Sequence, residues 1–292
     1  MKREQRMIRD SFIREYELWL YQNEKSAGTI AKYQYCLKQF QQFVKGKTVS
    51  KDLVILWKEY LKKKMSPSTV NGVLAALNGF FRYKGWTDCI VKFLKIGHRV
   101  FSLKQKELKK EEYQRLVLAA EQNGNERMAL LIQTVCATGI RISELPFITA
   151  EAVKLGYAEV DCKGRVRTVF LPGGLCRLLE AYAEKNKIRA GKIFVTRTGK
   201  AMDRSNIWRE MKKLAKLAGV GWEKVFPHNL RHLFARSFYS QEKDLLRLAD
   251  ILGHSSINTT RIYTMETGEQ HVRQLEQMDL LVSDYNRISL LL

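Results

Sequence analysis

The stretch that most constrains the fold runs from Asn125 to Gly139 and reads NGNERMALLIQTVCATG with its flanks. Its middle is apolar nearly all round. A helix of that kind has no face to show to water, so other elements must enclose it. Asn125 is placed to cap its start and Gly139 to end it. Arg141 follows directly, in RISEL. An arginine fixed just beyond a buried helix can be held from behind and present its guanidinium as a fork to two phosphate oxygens. It can equally form a buried ion pair with Glu144, three residues on, and the residues leave both readings open.

A second constraining stretch lies far downstream. Pro227 to Tyr263 reads PHNLRHLFARSFYS, then LLRLADILGHSSINTTRIYT. His228, His254, Arg231 and Tyr263 stand there among apolar residues at helical spacing. These side chains suit a site that grips a phosphate and attacks it with an oxygen nucleophile. His232 reads as packing or hydrogen bonding. Ser255 and Ser256 read as turn or helix-start residues.

The remaining chain is mostly helical in pattern. Met7–Gln22 is amphipathic. Ser26, Ser50 and Ser66-Pro67 are start signals for three more helices, with Gly46 and Gly85 near stops. Four helices with short joins predict an N-terminal bundle over 1–95. Residues 96–108 are basic, carry the lone His98 and read as a linker. The rest, 109–292, forms a second domain with a tail from about 276. Helices are expected from Lys109 to Gln122, from Gly174 to Lys187, and from Asp203 or Ser205 to near Gly219. AVKLGY, AEVDCKG and RVRTVFLPG, between Glu151 and Pro172, alternate and predict a small antiparallel sheet with a hairpin tip at Lys163-Gly164. Ile193–Thr196 is expected as a short strand. Lys163 is either a solvated turn lysine or a cation able to reach a groove or the active site. The fold class is therefore mainly α with a small antiparallel β-sheet: a helical bundle plus an α+β domain.

Charge narrows the partner. The chain has 51 Lys and Arg against 30 Asp and Glu, a formal +21. Residues 1–100 hold 20 of those cations and 8 of the anions. Clustered cations gain binding free energy by releasing counterions from a polyphosphate, so nucleic acid is the expected partner. No run approaches the roughly 18 apolar residues of a membrane span, and no signal-peptide pattern opens the chain. The five cysteines, Cys36, Cys89, Cys136, Cys162 and Cys176, are scattered, which argues against a disulfide framework or a zinc site and fits a reducing cytoplasm. The sequence shows no phosphate-loop lysine signature or dinucleotide glycine fingerprint.

ATGIRISEL at Arg141, Lys163 in its hairpin, PHNLRH at His228 and Arg231, LGHSS at His254 and TTRIYT at Tyr263 occur in one order. In this the chain resembles the tyrosine recombinases, also called the phage integrase family, over about residues 105–270. Its layout is that of the short Xer-like and transposon-borne members. The resemblance implies a SAM-like core-DNA-binding domain ahead of a catalytic domain, the two closing as a C-shaped clamp on duplex DNA. It implies site-specific integration or excision through a covalent 3′-phosphotyrosine and a Holliday junction, within a homo-tetramer on paired sites. Tyr263 would be the nucleophile, Arg141 and Arg231 the phosphate clamp, and Lys163 the general acid. His228 and His254 would assist proton transfer and bind phosphate, with Glu144 in support. No cofactor or metal is implied, and an accessory directionality factor is allowed.

The chemistry is coherent without the family. Two fixed guanidiniums offset the charge of a phosphodiester and of its transition state. A tyrosine hydroxyl, ordinarily titrating near about 10, needs electrostatic help or a base at neutral pH. The hairpin departs from many relatives, which have a glycine before the lysine and more basic residues after it; here Arg165 and Arg167 stand nearby. The leucines of LEQMDLLV and ISLLL must be buried, and are expected to pack on a neighbouring protomer, with packing on their own domain as the alternative. Two other functions remain open on sequence: a type IB topoisomerase-like relaxing enzyme, and a catalytically silent DNA-binding regulator.

Overall fold

A computed structural model describes residues 6–96, 107–161, 166–196, 198–254, 256–261, 263, 272 and 275–278. The chain divides into two compact units, 1–98 and 99–292. Most of the 96–108 linker expected from sequence, the Lys163 hairpin tip and most of the C-terminal tail lie outside the described residues.

In the first unit, α1 (Asp10–Gln22), α2 (Ala27–Val44), α3 (Lys51–Lys62) and α4 (Pro67–Tyr83) form the bundle, followed by a 3-10 turn at Thr87–Cys89. The expected start signals act as caps. The hydroxyls of Ser26, Ser50 and Ser66 accept from the backbone N–H of Thr29, Leu53 and Thr69. Each satisfies a donor that the first turn leaves orphaned. The core is aromatic-rich, with Tyr16, Phe40, Trp57, Phe80 and Phe81 interleaved with Leu37, Leu74 and Leu77. Each such side chain contributes about 1.5–3 kcal/mol by leaving water. Buried Asn78 exchanges two hydrogen bonds with Val91 (2.9 and 3.2 Å), and Asn71 does the same with Leu94, so the chain leaving the bundle is pinned along α4.

In the second unit, α5 (Lys110–Gln122) leads to α6 (Glu126–Thr138), the all-round apolar helix. It is enclosed as its composition demands, packing on α5, on α8 (Gly173–Lys185), on α9 (Arg204–Leu217) and on α10 (Pro227–Glu242). Asn125 caps its start and Gly139 ends it in the left-handed conformation, φ +65°. Gly139 is required twice over. A β-carbon there would stand 2.5 Å from the Phe234 ring of α10, so only glycine lets the two helices meet this closely.

The sheet has two antiparallel strands, β1 (Tyr157–Asp161) and β2 (Val166–Phe170), in register from Tyr157↔Phe170 to Asp161↔Val166. AVKLGY was expected to be extended and is instead mostly helical: α7, Ala150–Leu155. Its capping decides this. The Thr149 hydroxyl accepts from Ala152 N and Gly156 closes the helix at φ +77°, so turn chemistry overrides the alternation. Ile193–Thr196 forms no strand either. Lys192 and Val195 make isolated bridges to Thr149 and Ala201. The chain then runs through α10 to α11 (Leu245–Leu252) and α12 (Ile257–Arg261). Among the described residues, no helix is long and apolar enough to cross a membrane.

Candidate active site

The site forms where the ends of α6, α10 and α11 meet. Arg141 lies two residues past Gly139 in extended backbone and opens a 3-10 turn, Ile142–Phe147. The turn brings Glu144 back onto it. Its carboxylate accepts from the Arg141 backbone N–H (2.9 Å) and guanidinium (2.8 Å). The buried-pair reading of Arg141 and the clamp reading are therefore not exclusive, because Arg141 also lines the cleft beside His228 and Arg231.

Glu144 is 1% exposed. Burial alone would raise its carboxyl. The hydrogen bonds from Arg141 and the Arg167 charge outweigh burial and hold it below the usual carboxylate range. It is ionised and shared, since Arg167 Nη2 donates at 2.7 Å to Oε2, the oxygen that also accepts the Arg141 backbone N–H.

Pro227 sets the first turn of α10, and His228, Arg231 and His232 follow at i, i+3 and i+4 on one face. Arg231 is 2% exposed. It donates to the Gly139 carbonyl, to the Leu252 carbonyl (2.7 Å) and to His254 Nε2 (3.0 Å). Burial, then the nearby Arg141 charge, lower its guanidinium to about 10, while Tyr263 acts the other way. It remains a cation at neutral pH. Its Nε–H is buried with no acceptor, so its donor capacity is not exhausted.

His254 follows the left-handed Gly253 that caps α11. Arginine has only donors, so Nε2 accepts from Arg231 and the ring proton sits on Nδ1, donating to Thr260 Oγ1 at 2.8 Å. Burial and the arginine charges push His254 down to about 4, and burial then His228 push His232 to about 3. His228 is lowered too, by burial and then by Arg231 and Arg141. All three rings are neutral near pH 7.

Tyr263 is 5% exposed. Its ring stacks on His254 (centroids 5.7 Å apart) and meets His232 edge-on at 4.5 Å. Its other walls are Ala235, Leu248 and Leu252.

An open cleft of about 410 Å³ fronts this group, lined by Arg141, His228 and Arg231 with Arg204 and Trp208 of α9. Of the side chains singled out in the sequence, Arg141, Glu144, His228, Arg231, His254 and Tyr263 are thus brought together. Lys163 lies outside the described residues. Arg204 and Trp208 join the site without standing in any of the motifs that mark it in the sequence; Thr260 and Arg167 stand inside two of them, TTRIYT and the hairpin, but are not the residues that mark them. Arg167 did leave a signal: it shares the inward face of β2 with buried Val169, and an inward cation on an alternating strand needs a partner.

The phage integrase family matches residues 106–270, and the N-terminal SAM-like domain of phage integrases matches 13–87. The chain belongs to the phage integrase family, the tyrosine recombinases. It is an enzyme of site-specific recombination that cleaves and rejoins DNA. The tyrosine recombinase XerA of Thermococcus kodakarensis is 29% identical over 278 residues, covering 92% of this chain and 95% of that one. The tyrosine recombinase XerC of Roseiflexus sp. is 29% identical over 265 residues, covering 82% and 83%. The fold is shared with a lambda integrase dimer bound to a COC′ core site (TM-score 0.73, 17% identity, covering 90% of this chain and 97% of that one). It is shared also with a lambda integrase tetramer bound to a Holliday junction (TM-score 0.70, 16% identity, covering 87% and 76%).

Proposed function

We propose that Tyr263 is the nucleophile of this recombinase and that Arg141 and Arg231 hold the scissile phosphate. The Tyr263 oxygen attacks phosphorus and the bond to the 5′ oxygen breaks, leaving a 3′-phosphotyrosine and a 5′-hydroxyl. Lys163 protonates the leaving oxygen. His228 and His254, neutral in the free enzyme, take the tyrosine proton and bind the phosphate, and Glu144 orients Arg141. Once phosphate enters, its negative charge raises the affinity of both imidazoles for protons. The phosphotyrosine keeps the energy of the broken bond, so rejoining needs no nucleotide.

The observation that carries this reading is the convergence of two guanidiniums, two neutral imidazoles and one tyrosine, drawn from segments far apart in sequence, beside a cationic cleft. Electrostatic stabilisation of this type is worth about 10²–10³-fold per donor.

We further assign residues 1–95 to holding core DNA and 109–292 to catalysis. On paired duplex sites four copies exchange strands through a Holliday junction, with the tail from about 276 packing on a neighbour. The likeness to the lambda integrase tetramer supports this assembly. A directionality factor acting on that assembly is part of the same reading. The free thiols of Cys36, Cys89, Cys136 and Cys176 support work in the reducing cytoplasm.

The test is covalent trapping on nicked duplexes built from the DNA flanking the gene. Wild type yields a protein–DNA adduct and Tyr263→Phe yields none. An adduct that survives Tyr263→Phe would remove the nucleophile assignment. A two-site plasmid assay run beside supercoil relaxation tests the exchange step, and relaxation without exchange would overturn it.

A further inference from the structure

Three consecutive carbonyls close α11, and each is taken by a different arginine. Arg167 Nη1 donates to Ile251 O (2.7 Å), Arg231 Nη2 to Leu252 O (2.7 Å) and Arg141 Nη2 to Gly253 O (3.1 Å). The last carbonyls of a helix lack partners of their own and sit at the negative end of its dipole, so cations are well placed there. Two of these arginines also line the cleft, and Arg167 is not among its lining residues. It reaches the group from β2 with its side chain 13% exposed, and its second guanidinium nitrogen is bonded to Glu144 at 2.7 Å.

Arg167 therefore touches both supports of the clamp. Through Glu144 it bears on Arg141, whose backbone and guanidinium the same carboxylate receives. Through Ile251 it bears on the turn that carries Gly253 and His254. Contact there is close: a β-carbon at Gly253 would stand 2.4 Å from Arg167 Cδ.

We propose that Arg167 is a positioning residue of the cleavage reaction, fixing Arg141 and the Gly253–His254 turn in the geometry that receives the phosphate before DNA arrives. The inference rests on the reading that Arg141 and Arg231 hold the scissile phosphate. A displacement of about 1 Å in such a site costs on the order of 10²-fold in rate even when it originates away from the chemistry. Removing Arg167 also leaves one Glu144 oxygen without its cation and the Ile251 carbonyl without its donor.

The experiment uses the full chain with Arg167→Met and Arg167→Lys, on nicked duplexes that wild type cleaves. Equilibrium DNA binding and the single-turnover rate of adduct formation are read on two backbones, an ordinary phosphodiester and a methylphosphonate at the scissile position. The methylphosphonate lacks one negative oxygen, so it depends less on the arginine clamp. Arg167→Met is expected to bind DNA within about twofold and to cleave the phosphodiester roughly 10²-fold more slowly. Its deficit on the methylphosphonate is expected to be at least tenfold smaller. Arg167→Lys keeps the charge but reaches one acceptor, and falls between the two; it decides the matter should Arg167→Met not fold. Cleavage within threefold of wild type by either variant overturns the proposal. So does an equal deficit on both backbones, the mark of a residue that only stabilises the fold. Failure of wild type to form an adduct would instead strike the nucleophile reading on which the proposal stands.

Discussion

Gly253→Ala offers a direct measure of how tightly the α11 terminus is held. Gly253 has φ +61°, a conformation that costs an L-residue about 1–2 kcal/mol. The added carbon meets Arg167 Cδ at 2.4 Å and Nε at 2.8 Å, so the arginine must move. Its guanidinium is tethered at both ends, to Glu144 and to Ile251. Hydrogen bonds to charged groups contribute about 1.5–3 kcal/mol each. Losing one and keeping the other brings the total to about 2.5–5 kcal/mol. Gly156→Ala is the control: its φ is +77°, but nothing lies within 4 Å of its added carbon, so it carries strain alone. Hydrogen exchange of the α6 and α10 amides reads the stability of the catalytic unit separately from the N-terminal bundle. Gly253→Ala should lower it by about 1.5–3 kcal/mol more than Gly156→Ala does, by the bond-loss reasoning above. In an Arg167→Met background that excess should vanish. Equal costs for the two glycine substitutions, or an excess that persists without Arg167, would refute the argument.

Thr260→Val removes, at a fully buried threonine, the acceptor of the half-buried His254 Nδ1–H and should cost about 1–3 kcal/mol. Nitrogen-15 spectra of the ring should show the Nδ1–H tautomer in wild type and a mixture in the variant; Nε2–H dominance in wild type would contradict the bonding described. Acid should weaken the fold through its histidines. His228, His232 and His254 are held below the ordinary 6.5, so on unfolding they regain it and bind protons that the folded chain refuses. Stability is then full above pH 6.5 and falls toward pH 4. His232→Gln should flatten that slope near pH 5 by up to about 1.4 kcal/mol per pH unit, and an unchanged slope would count against it. Arg204→Ala should weaken DNA binding and reduce its salt slope by about 1 while leaving unfolding nearly unchanged; an unaltered slope would remove Arg204 from the DNA-facing surface.

The helical frame was readable because its signals are local. Ser26, Ser50, Ser66, Asn125 and Asp203 all cap the helices that follow them, and a cap needs only its next three residues. AVKLGY misled for the same reason in reverse. Its alternation fits a strand, yet Thr149 ahead of it and Gly156 within it close it as one short helix. Arg141, Arg231, His254 and Tyr263 were legible through an ordered set of motifs. Thr260 and Arg167 were not, because their roles lie in partners 6 to 84 positions away that only the fold assembles. No periodicity announces that three arginines will divide three adjacent carbonyls among them.

That division has an electrostatic consequence for catalysis. Guanidiniums packed this closely repel one another, and carboxylates would be the simplest remedy. Among the described residues the site supplies one, Glu144, shared between Arg141 and Arg167, while Arg231 bonds to carbonyls and an imidazole. Carbonyl oxygens relieve the repulsion through their dipoles without cancelling charge. With the histidines neutral, the three arginines and one carboxylate retain two positive charges. A phosphodiester carries one negative charge, and the five-coordinate phosphorus formed by an attacking phenolate carries two. The cluster stays net positive, and a histidine that takes the tyrosine proton adds to it as charge builds on phosphorus, which is the condition for lowering a barrier instead of merely tightening binding. A second carboxylate beside Arg231 would steady the free enzyme and cancel part of that charge, so the use of the α11 carbonyls in its place is what leaves the clamp both ordered and charged.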